Sequence, residues 1–138
     1  MKYGILSAIA LLFACIVYTQ DMTPLIEEAA KLEKNLKETE ALETYQSVLK
    51  IQPDNIIALC KAAELTGRIG SRFKDDSKKT EYFAAAKSYA EAALKQKQHI
   101  ADAYYVMSYT AMKLATVTKG KERATNLRDM KYYADSAL

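Results

Sequence analysis

The chain has 138 residues, half of them hydrophobic, with 20 Lys plus Arg against 17 Asp plus Glu. That length holds one domain at most, and a formal net charge of +3 is too small to imply a nucleic-acid partner. Four Gly and two Pro are few for an all-β protein, and the abundant Ala, Leu, Lys and Glu favour helix.

Lys2 precedes an apolar run from Gly4 to Tyr18. The run is shorter than the about 20 residues of a membrane-spanning helix. Its charged start and apolar core are those of a secretory signal. Residues 1–19 are therefore expected to be a signal peptide, cleaved between Thr19 and Gln20, with residues 20–138 a helical repeat domain. Leu12-Phe13-Ala14-Cys15 resembles a bacterial lipoprotein box. Lipidation at Cys15, or an uncleaved anchor giving membrane contact through the N-terminus, stays open beside simple secretion. The expected location is periplasmic or extracellular. With Cys15 in the signal, Cys60 stands alone and forms no internal disulfide. Its neighbours Ile57, Leu59 and Ala62 suit a small buried or half-buried residue rather than a reactive thiol.

The spacing predicts a helix over 22–35, entered through Thr23-Pro24, with Leu25, Ala29 and Leu32 on one face. A turn at Lys37–Thr39 leads to a second helix over 40–52, where Ala41, Tyr45 and Val48 share a face. Pro53 stops that helix, and Asp54 and Asn55 are placed to cap the next. A third helix runs from Ile56 to about Gly70, with Leu59, Ala62, Ala63 and Thr66 inward. Leu25 and Leu59 lie 34 residues apart, which sets a repeat period. Ala86, Ala90 and Ala93 repeat the second-helix spacing on a helix over 80–97. Tyr104, Met107, Ser108 and Ala111 mark a helix from Ala101 to about Thr116. Met130, Ala134 and Ala137 repeat the spacing once more.

The stretch EALETYQSVLKIQPDN, residues 40–55, resembles the second helix of a tetratricopeptide repeat. That resemblance implies an all-α fold, an α-solenoid of about three antiparallel helical hairpins in a right-handed superhelix. Gln98 stands where the family places proline. A plain 34-residue period would put Ala93 at 82 and Ala137 at 127, so the second and third repeats carry eleven and ten extra residues. The expected result is two lengthened hairpins with short polar tips at Ser71–Lys79 and Lys119–Arg123. The long hairpins with a Tyr-rich helix, seen in AAKSYAEAAL, ADAYYVMSYTA and KERATNLRDMKYYADSAL, resemble the regulator of microtubule dynamics proteins over about Ala58–Leu138. Microtubule association is not carried over to a chain expected to be exported.

Catalytic chemistry is not expected. His99 is the one histidine and falls in a link. No paired-Cys, Cys/His or HExxH spacing occurs, Gly67 and Gly70 make no phosphate loop, and Asp75-Asp76 sit at a polar tip. No cofactor or metal is expected.

The expected function is a non-catalytic scaffold whose concave groove, lined by the first helix of each hairpin, holds a protein or peptide partner. Groove residues are expected at Ile26, Ala30 and Glu33, then Ile57, Cys60, Glu64 and Arg68, then Tyr105, Tyr109 and Met112. The alternative is an adaptor whose basic edge, Arg72, Lys74, Lys78, Lys79, Lys119, Lys121 and Arg123, meets an anionic membrane or an acidic partner. Salt-sensitive binding to anionic vesicles would separate such an edge from charged turns that are merely solvated. Met130, Tyr133, Ala137 and Leu138 are expected to stay partly uncovered. That end then marks either a fragment of a longer protein or a surface for self-association.

Overall fold

The structure, a computed structural model, describes residues 21–97 and 99–138. The expected signal segment, the lipoprotein box with Cys15, and Gln98 lie outside the described residues. Among the described residues there are six helices and no strand: α1 (Thr23–Lys34), α2 (Glu38–Ile51), α3 (Ile56–Gly70), α4 (Asp76–Leu94), α5 (Ile100–Val117) and α6 (Gly120–Ala137). Each packs on its successor, and α3 also meets α5. The arrangement is all-α and solenoid-like, with α1/α2, α3/α4 and α5/α6 as antiparallel hairpins.

Local chemistry sets the helix ends. Pro24 sits in the first turn of α1, where its missing N–H leaves no bond unmade. The Thr23 N–H is met instead by the Asp21 carboxylate at 3.0 Å. Leu36 closes α1 in the left-handed region at φ 61°. Its N–H reaches Glu33 O and the Lys37 N–H reaches Leu32 O, both at 3.0 Å, which is a Schellman ending. Asn55 caps α3 by accepting the Ala58 N–H at 3.1 Å.

Small residues let the helices close up. Ala41, Tyr45 and Val48 are buried against Ala29, Ala58, Ala62 and Leu65. Tyr45 is the largest fully buried side chain, and desolvation there, with the charges of Glu33 and Glu64, pushes its phenol up to about 12. Ala90 meets Ala63, Val106 and Met107, and Ala93 meets Leu59 and Ala103. At Gly70 a Cβ would stand 2.6 Å from Tyr82 Cβ, so the absent side chain is what admits α4 to the end of α3. Burial of Leu65 and Phe83 stabilises this middle hairpin by roughly 1.5–3 kcal/mol each.

The two expected tips are corrected. The tip Ser71–Lys79 is shorter, because α4 begins at Asp76 with Asp75 accepting the Ser77 N–H at 2.9 Å. The tip Lys119–Arg123 is shorter still, since α6 begins at Gly120. Both runs are charged but contain good helix formers, and their charge stays solvated on a helix as readily as in a loop. Ala134 is exposed, and Asn126 is the one buried residue of α6. That helix packs chiefly on α5, so a second inward stripe has nothing to meet.

Candidate functional site

The first helices of the three hairpins form one face. Glu33 of α1 reaches across to α3, where Arg68 Nη2 donates to Glu33 Oε1 at 2.6 Å and Lys61 Nζ stands 3.3 Å from Glu33 Oε2. Arg68 also lies 3.5 Å from Glu38 and 3.9 Å from Glu64, and Lys61 lies 3.7 Å from Glu64. Arg72 pairs with Glu38 as well. Glu38 is only 7% exposed and meets both of these guanidinium groups. Burial pushes the Glu33 carboxyl up, but the Arg68 hydrogen bond and the positive charge of Lys61 outweigh it and hold the group below the usual carboxylate range.

Contact between α3 and α5 completes the face. Tyr109 lies over Gly67, where a Cβ would come within 2.6 Å of the ring. Desolvation pushes the Tyr109 phenol up to about 12. Tyr105 stacks on Tyr109 with centroids 6.4 Å apart, and Lys113 Nζ stands 5.2 Å from the Tyr109 centroid on α5. Tyr105 is 51% exposed and Met112 39%.

A trough of about 250 Å³ runs between the N-terminal halves of α3 and α5. The buried Val106 and half-buried Cys60 lie deepest, with exposed Ile57 and Tyr105 as apolar walls. Lys61, Glu64, His99 and Asp102 supply the polar edge. His99 Nδ1 stands 3.8 Å from Asp102. Burial, with Asp102 and Glu64 nearby, pushes the Cys60 thiol up to about 11, so it is a protonated apolar surface at neutral pH.

The expected groove residues thus divide. Ile57, Cys60, Glu64 and Tyr105 line the trough. Glu33 and Arg68 are tied in the ionic network, Tyr109 is packed on Gly67, and Ile26 and Ala30 are half-buried on α1. Met112 is exposed farther along α5. Sequence reasoning missed Lys61 and Glu38; the available signal was a set of opposite charges near one repeat length apart. The expected basic edge divides too. Arg72 is bound to Glu38, Lys79 to Asp76 at 2.9 Å, and Lys78 lies 5.4 Å from the Phe73 centroid. Lys74, Lys119, Lys121 and Arg123 are exposed, with no ion-pair partner among the described residues. No group of His, Cys, Asp and Glu among the described residues could hold a metal ion, and no described helix is long and apolar enough to cross a membrane.

A solenoid-like stack of helical hairpins, with an ion-laced face and an apolar trough, is the class of protein that these features define. The family model described as Regulator of microtubule dynamics protein 1-3 matches residues 25–138, and the chain belongs to that family. Neither the curated proteins nor the solved structures give a match to the chain.

Proposed function

We propose that this is an exported, non-catalytic scaffold of tetratricopeptide type that holds an extended segment or helix of a protein partner along its first-helix face. The observation that carries the reading is the α3–α5 trough, where Tyr105 offers half its surface beside Ile57 while the core closes without it. An aromatic ring with a polar rim is a common anchor for a peptide. The 34-residue step from Leu25 to Leu59, and the burial of Ala41, Tyr45 and Val48, support the repeat type. The apolar run Gly4–Tyr18 supports export.

Selection of a displayed peptide library on the chain tests this. Peptides enriched by the wild type should be lost by the Tyr105→Ala, Met112→Ala double variant, at roughly 2 kcal/mol for an anchor aromatic. Equal capture by the variant would refute the groove. Tyr109 is left intact, because its seat on Gly67 makes it part of the fold.

A further inference from the structure

On the opposite face, α2 and α4 stand apart over α3 and leave a cleft of about 350 Å³. Leu42 and Thr66 lie buried at its bottom. Glu43 stands on the α2 wall and Glu81 on the α4 wall, both exposed and neither with an ion-pair partner among the described residues. Tyr82 and Tyr89 add two rings, and Gln46 Nε2 donates to the Tyr89 hydroxyl at 3.1 Å.

Thr66 supplies the second observation. It is 4% exposed, and its hydroxyl is buried with no hydrogen-bond partner. Helical hydroxyls elsewhere in the chain donate back to a carbonyl one turn earlier, as Thr44 does to Glu40, Ser47 to Glu43 and Thr80 to Asp76. Thr66 forgoes that bond while lining a cleft with a carboxylate on each wall. An N–H donor entering the cleft would give the Thr66 oxygen a hydrogen-bond partner.

We infer that the α2–α4 cleft receives an arginine side chain from a partner polypeptide. A guanidinium presents N–H donors in one plane, which suits carboxylates on two walls and a hydroxyl below. Its flat face stacks on tyrosine, and its weak hydration makes entry into a partly apolar cleft easier than for an ammonium. The cleft uses none of the trough residues, so this site stands independently of the groove.

The test is a nitrogen-15 NMR titration of the full chain with acetyl-Gly-Arg-Gly-amide, alongside the Lys and Leu counterparts and free spermidine, at low salt. The expected result is saturable shifts at the amides of Glu43, Thr66 and Glu81, largest for the arginine peptide. Affinity should fall at least fivefold in the Glu43→Gln, Glu81→Gln double variant, whose exposed positions leave the fold intact. Thr66→Val should weaken binding about threefold, with Thr66→Ser binding as wild type. Undiminished affinity in the double variant overturns the proposal. So do equal shifts from the leucine peptide, a clear preference for spermidine, or shifts confined to the residues around Tyr105.

Discussion

Helices α4 and α6 carry the same spacing of small and apolar residues, Ala86/Ala90/Ala93 in one and Met130/Ala134/Ala137 in the other, and come to opposite ends. Ala86, Ala90 and Ala93 are fully buried, while Ala134 is exposed and Met130 and Ala137 are half-buried. The difference lies in the neighbours. Helix α4 packs on both α3 and α5, and α6 chiefly on α5. A small residue at helical spacing permits close approach, and it is buried only where a helix arrives to use it.

Leucine substitutions sharpen the contrast most. Ala90→Leu should overpack the contact with Ala63 and Met107 and destabilise by about 2 kcal/mol in urea melts. Ala134→Leu should change stability by less than about 0.5 kcal/mol. Equal losses would break the comparison. Gly67→Ala probes the seam between α3 and α5. With Tyr109 present, the ring must move off a Cβ at 2.6 Å, and a net loss of about 1 kcal/mol is expected. In a Tyr109→Ala background the same change should stabilise by up to about 1 kcal/mol, because alanine is the better helix former. A double-mutant cycle without coupling would remove Tyr109 from the core.

Much of the fold was legible because helix contacts leave a periodic trace. Ala41, Tyr45, Val48, Leu59, Ala62 and Ala63 are buried as their spacing requires. Asn55 caps as its position before Ile56 suggested. Charged runs misled, since DSKKT opens a helix and solvation alone does not distinguish a loop from a first turn. The ionic network was missed because Glu33 and Arg68 meet across 35 residues, about one repeat length, where no local pattern marks the pair. The split between Tyr105 and Tyr109 was hidden for a related reason. The missing side chain that seats Tyr109 belongs to Gly67, on another helix.

Acid should loosen the first hairpin from the second. Glu33 is held below its ordinary pKa in the folded chain, so its contribution is complete above that ordinary value, near 4.5, and disappears as pH falls through the lower folded value. Wild type should exceed Glu33→Gln by about 1 kcal/mol at pH 7, since the pair is only partly shielded from water, and the gap should close as pH falls through that folded value. A constant gap across that range would contradict the ionic account. The smallest effect belongs to Leu36, 83% exposed in the left-handed region. Leu36→Gly should relieve that strain and stabilise α1 by about half a kcal/mol in thermal melts.

The Gln46–Tyr89 hydrogen bond has a mechanical consequence. It ties α2 to α4 across the cleft that stands open over α3. A solenoid in which each helix leans on the next bends about its inner members, and α3 is the pivot between the first two hairpins. Rotation that spreads α2 from α4 must stretch this tie, while the Glu33–Arg68 pair on the other face resists the opposite rotation. The two contacts therefore act as opposed stays on one joint. Releasing either, as Tyr89→Phe would, should widen the distance distribution between spin labels on α2 and α4 and alter the curvature offered to any ligand of the first-helix face.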